Sequence, residues 1–423
     1  MEHHPDLASP AFKAAPYAYW RTLRERAPAQ CVRVSGGNTA WLITRYEDAV
    51  IVLGDSRFAK DPLKAKGNGG NEPPWMPGPL RALSRNMLDL DEPDHRRLRN
   101  LVQKAFTPRV AEGLRPRIES ITTGLLDAIE MRGNVPVDLI TDFAAPLPVA
   151  VIAELLGVSE ADRRNFRRWS NDVVAADTSV WHKFRAVPSG IAFIRFLRRL
   201  IRERRVAPGT DLLTGLIEVR DAEERLSADE LLAMCFLLLV AGHETTVNLI
   251  GNGLLALLEN PDQMARLRRE PELIATAVEE MLRFSSPLQM ATERYATADV
   301  EIEGVMIPRG ALVYVVLASA NRDESIFPEA DRFDIAREPN RHLAFGHGIH
   351  YCLGAPLARL EGTIAIRMLL ARFTSITLPP TKDPQLRWRR GLVLRGLESL
   401  PVWVDAGGGI RTGDTRPGKQ KRL

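Results

Sequence analysis

The ten residues FGHGIHYCLG, Phe345–Gly354, place one of only three cysteines among two histidines, two aromatic residues and three glycines. Four uses of Cys352 compete. A zinc site would use His347, His350 and Cys352, but the spacing H-x-x-H-x-C has no matching second pair elsewhere, as structural zinc sites usually do. A redox thiol would want a neighbouring resolving cysteine, and none is near. A covalent nucleophile needs a base oriented by a third group, which sequence alone leaves open. An axial ligand of a large cofactor accounts for more of the residues. Gly346 and Gly348 remove side chains where backbone would approach a flat group. A helix starting at Leu353 would put Cys352 near a helix N-terminus, where thiolate is favoured over thiol.

The chain has 423 residues, 45% of them hydrophobic, which is ample for a large core. Lysine plus arginine exceed aspartate plus glutamate by only four, 57 against 53. The arginines cluster at helical spacing, as at Arg163, Arg164, Arg167 and Arg168 and between Arg195 and Arg205. They read as solvated helix faces, not as a nucleic-acid footprint. Cys31, Cys235 and Cys352 are far apart and form no CxxC or CxxCH. A disulfide framework is not expected, and a reducing compartment fits. The N-terminal stretch has no secretory h-region, and the longest apolar run, Leu231–Gly242, is too short to span a bilayer. The expectation is a soluble, cytoplasmic monomer that binds neither membrane nor nucleic acid.

Hydrophobic periodicity predicts a mainly α protein with minor β and no internal repeat. AWLIT (Ala40–Thr44) reads as a strand and Tyr46–Leu53 as a helix. The Gly- and Pro-rich stretch Gly67–Pro79 reads as a loop. From Asp94 to about Pro287 the pattern is helical. Ser227 followed by Glu230 is a capping box, and nothing interrupts the helix it starts until Asn260-Pro261. The first half of that helix is apolar all round, so it belongs in the interior. Residues Asp299–Leu317 read as a small hairpin sheet turning at Gly304 and Gly310, and a further helix runs from about Pro356 to Phe373. Residues 1–405 read as a single domain, and 406–423, with almost no apolar side chains, as a disordered tail.

Three further stretches could carry chemistry. AGHETT, Ala241–Thr246, puts Glu244 and Thr245 in the middle of the apolar helix. A buried carboxyl is costly unless bonded or solvated, and a helical threonine can bond back to the preceding turn. The pair is either a satisfied polar patch or a proton-delivery group. His243 beside it reads as a packed residue. In EEMLR, Glu280 and Arg283 share a helix face and can pair. In DEPDHRRLRNLV, His95 and Arg99 point the same way, and Arg99 could bind a carboxylate or lie exposed.

Taken together these motifs resemble the cytochrome P-450 family of haem-thiolate monooxygenases, and the natural-product biosynthetic bacterial members in particular. FGHGIHYCLG is similar to the family's F-x-x-G-x-[HR]-x-C-x-G haem loop, AGHETT to its oxygen-activation motif and EEMLR to its E-x-x-R element. PEADRFD adds the meander arginine, Arg332. The resemblance spans about residues 10–405. It implies a triangular helical prism around haem b with a small β-sheet region, and Cys352 as the metal ligand. Phe345, Gly346 and Gly354 would bind the cofactor from the loop, and His95, Arg99, Arg294 and His350 would hold the haem propionates. Glu280, Arg283 and Arg332 would be structural. Glu244 and Thr245 would pass protons to O2.

The implied reaction is monooxygenation of an apolar small molecule, by hydroxylation or epoxidation. O2 is co-substrate, and electrons come from NAD(P)H indirectly through a ferredoxin or flavodoxin and its reductase. Leu88, Leu237, Val240, Ala241, Leu288, Gln289, Met290, Leu392 and Val393 would line the pocket, with the Gly/Pro loop and the 165–195 region, and Gln289 would give one polar contact. The C-terminal stretch LRWRRGLVLRGLESLPV tilts the substrate toward polyketide, macrolide or terpenoid compounds. Oxidative coupling or peroxide-driven oxidation by the same haem is the alternative. A non-catalytic haem sensor would need an output module that the sequence does not display.

Overall fold

The computed structural model describes residues 4–34, 38–66, 86–133, 135–175, 180–221, 224–379 and 386–406. The expected Gly67–Pro79 loop and the expected tail from Gly407 lie outside them, as do many side chains of the 165–195 region.

A five-stranded sheet sets one side of the site. Its strands are β1 (Ala29–Arg33), β2 (Thr39–Ile43), β3 (Phe58–Ala59), β4 (Arg294–Ala296) and β5 (Leu312–Val315), in the order β1-β2-β5-β4-β3. β5 runs parallel to β2, pairing Val313 with Trp41, and antiparallel to β4, pairing Val313 with Arg294. The expected hairpin sheet over Asp299–Leu317 is therefore corrected. Val300–Ile302 and Val305–Ile307 pair only with each other around Gly304, whose φ is +83°, while Leu312–Val315 leaves them for the larger sheet. Val313 and Val315 are buried and gain more from a core position there than from a third place in an exposed hairpin. The β3–β4 register puts Ala59 opposite Tyr295, which brings Lys60 and Arg294 to the same edge.

The helices that position the site are α1 (Tyr46–Gly54), α2 (Asp94–Ala105), α3 (Pro146–Leu155), α4 (Glu160–Ala175), α5 (Val180–Val206), α6 (Ala228–Glu259), α7 (Ile274–Phe284) and α8 (Ala355–Arg372). α6 is the predicted long helix. Ser227 caps the Glu230 N–H while the Glu230 carboxylate returns to the Ser227 N–H, the reciprocal capping box. Among the described residues, α6 is the one helix long and apolar enough to cross a bilayer, and its residues from Thr246 to Leu257 are all buried in protein. It crosses α8 where Leu249 lies on Gly362, so closely that a Cβ on Gly362 would stand 3.0 Å from Leu249 Cδ2. Thr245 lies one turn before Leu249 on the same helix. α4 and α5 cover the first half of α6 through Phe166, Phe193 and Phe236.

Candidate active site

Cys352 ends a tight loop between the short 3₁₀ turn Gly348–His350 and α8. Its own N–H donates to the Phe345 carbonyl at 2.9 Å, and Gly346 N–H donates to Leu343 at 2.8 Å. Gly346 and Gly348 have φ of +73° and +72°, the left-handed region that glycine adopts freely. The structure gives Gly348 a second reason. A Cβ there would meet the Leu53 carbonyl of α1 at 2.7 Å, so this glycine serves protein packing and not approach to a cofactor. The Cys352 side chain is exposed. The dense protein around it nevertheless pushes the thiol pKa up, while the N–H groups of Gly354 and Ala355 and the cations Arg99 and Arg359 pull it down. The helix-terminus effect expected from the sequence is present but is smaller than the cost of burying the charge.

Around the loop converge groups that could bind carboxylates. His95 of α2 is buried and packs against His350, the ring centroids 4.3 Å apart and the planes tilted by 51°. His95 Nε2, His350 Nε2 and Arg294 Nε have no hydrogen-bond partner. Burial lowers the pKa of His95, takes His350 to about 2 with help from the neighbouring cations, and brings Arg294 to about 10. Arg99, half-buried one turn on from His95, feels the Cys352 charge. Lys60 joins this edge. Its Nζ donates to Thr292 Oγ1 and the Glu293 carbonyl, both at 2.7 Å, and burial with Arg294 nearby lowers its pKa to about 8. Lys60 carries no motif and was not singled out in the sequence. Orphaned buried donors of this kind are costly unless a ligand satisfies them. The set fits a group that carries carboxylates at one edge. Among the described residues no cluster of three His, Cys, Asp or Glu side chains could hold a metal ion, which disposes of the zinc reading of His347, His350 and Cys352. His347 is exposed.

Glu280 and Arg283 are both fully buried, unlike most i,i+3 pairs. Arg283 grips the Glu280 carboxylate with two donors at 2.7 Å and donates its remaining N–H groups to the carbonyls of Asn321, Ala330 and Arg332. The expected role of the Arg332 side chain is corrected. That side chain is 57% exposed and pairs with Glu329, and only its carbonyl enters the network. The second guanidinium on Glu280 is Arg337, at 3.2 Å. The network reaches the cysteine loop through Asn321, whose Oδ1 accepts the Leu343 N–H at 2.6 Å. A second support runs through Glu279, which pairs with His342 and with Arg359, itself stacked on the Phe345 ring at 4.5 Å.

On α6, Thr245 Oγ1 donates to the Ala241 carbonyl at 2.8 Å and Thr246 Oγ1 to Gly242 at 3.0 Å. Two adjacent hydroxyls thus bond back onto one turn, which weakens it locally. Glu244, 16% exposed, is paired with Arg389 at 3.0 Å. His243 points into protein, and burial followed by the Arg389 charge takes its pKa to about 4. The Ala145 carbonyl favours the protonated ring slightly, yet neither ring nitrogen makes a hydrogen bond of good geometry. Val240 and Ala241 are exposed halfway along the helix, Leu237 is half-buried beside them, and Leu88, Leu288, Leu392 and Val393 are also half-buried. Two expected pocket residues are corrected. Gln289 and Met290 are fully buried, with the Gln289 amide donating toward the Leu7 and Leu392 carbonyls and Met290 packed with Phe12 and Trp20. Backbone pairing to the C-terminal hairpin turns both away from solvent.

The arrangement therefore offers a thiol on a braced loop, a carboxylate-binding edge, and an apolar helix face carrying an acid and an alcohol. Comparison with known proteins agrees with it. The Cytochrome P450 family model matches residues 36–398. Cytochrome P450 107B1 of Saccharopolyspora erythraea is 48% identical over 94% of this chain and 98% of that protein. The 6-deoxyerythronolide B hydroxylase of the same organism is 44% identical over 95% and 99%. The solved structure of the bacillaene polyketide synthase cytochrome P450 PksS from Bacillus subtilis superposes with a TM-score of 0.86 at 42% identity, covering 96% of this chain and 100% of that one.

Proposed function

Because this chain belongs to the cytochrome P450 family and is a haem-dependent monooxygenase, we propose that it oxidises an apolar polyketide- or macrolide-type small molecule in the cytoplasm by hydroxylation or epoxidation. The O2 chemistry would be supplied by haem b when bound, and it balances as two electrons from NAD(P)H and two protons for one oxygen atom entering the substrate and the other leaving as water. Cys352 is the residue that holds the iron. His95, Arg99, Arg294 and His350 would bind the propionates, because carboxylates need cationic or N–H donors; His95, Arg294 and His350 present orphaned nitrogens and Arg99 a half-buried cation. The Glu280–Arg283–Arg337 network and Asn321 keep the loop beneath them fixed.

The protein's contribution to the chemistry is position and protons. Thr245 and Glu244 stand at the weakened turn of α6, where a hydroxyl can exchange its bond to the Ala241 carbonyl for one to a distal ligand or water. Glu244 is the acid that resupplies that hydroxyl. Leu237, Val240, Ala241, Leu288, Leu392 and Val393 give the substrate an apolar wall and exclude water from it. Electrons enter from an external ferredoxin or flavodoxin. Ile349 and Tyr351, 45% and 41% exposed within three residues of Cys352, form the surface that would face that partner.

The substrate class rests on the apolar wall together with relatives named as a 6-deoxyerythronolide B hydroxylase and as the cytochrome P450 of a polyketide synthase. Titrating the ferric protein with macrolactones, linear fatty acids and steroids and following the iron spin state tests it. Macrolactones are expected to shift the spin state at the lowest concentration. A shift with fatty acids or steroids and none with macrolactones overturns the proposal.

A further inference from the structure

α6 carries a polar stripe of which the reaction as described uses only Glu244. Glu244, Asn248 and Asn252 are spaced by four and so share a face. All three meet one segment, Arg387–Glu398. Arg389 Nη1 donates to Glu244 Oε1 at 3.0 Å. Gly396 lies against Asn248 so closely that a Cβ on it would stand 1.8 Å from Asn248 Oδ1. Asn252 Nδ2 donates to the Arg395 carbonyl at 2.9 Å.

The segment is a narrow hairpin. Trp388 pairs with Leu397, Arg389 N–H donates to Gly396 at 2.9 Å, and Glu398 N–H donates to Arg387 at 2.7 Å. Just below its apex it is clamped by Arg395, which is buried, covers the Trp388 ring at 3.9 Å and donates to the Lys13 carbonyl and Ser285 Oγ. Its apex carries Leu392 and Val393, and Val393 accepts the Gln289 N–H at 2.7 Å. One rigid element thus joins an apolar wall of the pocket to the carboxylate on α6.

We propose that Arg389 is a positioning residue for Glu244, so that the hairpin touching the substrate also fixes where the proton-delivering carboxylate stands. This rests on the reading of Glu244 and Thr245 as the proton relay. Arg389 holds Glu244 by a charged N–H donor at 3.0 Å, and displacing a group by about 1 Å from its working geometry can cost on the order of a hundredfold in rate. Loss of this contact lets Glu244 shift from its place beside Thr245, and O2, reduced by the same two electrons, then leaves as H2O2 in place of entering product.

The test uses the holoprotein with a substrate that shifts its spin state. Arg389→Gln is expected to lower product formed per NAD(P)H about tenfold, with KM within about twofold of wild type and a changed solvent deuterium isotope effect. Arg389→Lys should recover most of the loss. Arg390→Gln, on the same hairpin but 57% exposed and paired with Asp6, should match wild type. Thermal unfolding supplies a readout free of turnover: Arg389→Gln and Glu244→Gln should be non-additive in a double-mutant cycle. If Glu244→Gln lowers coupling but Arg389→Gln leaves both coupling and isotope effect at wild type, the positioning role is overturned and the relay stands. Coupling unchanged in Glu244→Gln overturns the relay, and the positioning role with it. Strict additivity in unfolding overturns the pairing itself.

Discussion

Glu280→Gln removes one negative charge from the centre of a fully buried network and keeps its shape. Four groups donate to the Glu280 oxygens: Arg283 through two N–H groups, Arg337, the Asp334 N–H and Asn340 Nδ2. A glutamine presents an NH2 to donors and leaves Arg283 without a counter-charge. Breaking a buried pair from one side costs about 3–5 kcal/mol. Unfolding entropy of about 2.1 cal/mol/K per residue gives this chain roughly 0.9 kcal/mol/K, so Tm should fall by about 3–6 °C. Arg337→Ala removes only the second guanidinium and should cost about 1–3 kcal/mol, or roughly 1–3 °C. Arg332→Ala, whose side chain is 57% exposed on a partner 70% exposed, should stay within about 0.5 kcal/mol. Circular dichroism on heating, at one scan rate for all holoproteins, measures the three. Arg332→Ala matching Arg337→Ala would refute the assignment of Arg337 to Glu280, and a Glu280→Gln protein melting with wild type would refute the network.

Thr245→Ala should divert O2 to H2O2, lowering product per NAD(P)H while substrate still shifts the spin state; unchanged yield would contradict its role. Lys60→Met should speed haem loss to a scavenging protein several-fold and Lys60→Arg should not, because the site needs a buried cation beside Arg294; equal rates in wild type and Lys60→Met would remove Lys60 from the cofactor edge. Glu361 is buried with one oxygen unpartnered, and burial pushes its carboxyl up to about 8 from an ordinary 4.5. Between those values the unfolded chain releases a proton that the folded chain keeps, so this group lowers stability as pH rises. Glu361→Gln should therefore gain in urea midpoint relative to wild type from pH 5 to pH 8, and a constant difference across that range would contradict it.

The elements written by local chemistry were legible in the sequence. The capping box at Ser227 and the unbroken apolar run of α6 act within a few residues. What was missed depends on contacts between distant segments. Lys60 reaches the cofactor edge only because β3 pairs with β4 in one register. Arg332 and Arg337 lie five apart in one meander, and only the fold decides which turns inward to Glu280. Gln289 and Met290 looked like pocket residues by position, yet their N–H groups pair with Val393 a hundred residues on, and their side chains follow that pairing into the core. Arg389 bore no motif and gains meaning only beside Glu244.

Thiolate ligation of the iron by Cys352 is the claim on which the rest depends, and the absorption spectrum of the ferrous–CO complex measures it directly. The wild-type protein should show the strongly red-shifted Soret band of a thiolate-ligated haem, and Cys352→Ser should lose that band. A Soret band at the ordinary histidine-ligated position in the wild type, or an unshifted spectrum surviving in Cys352→Ser, would contradict the account.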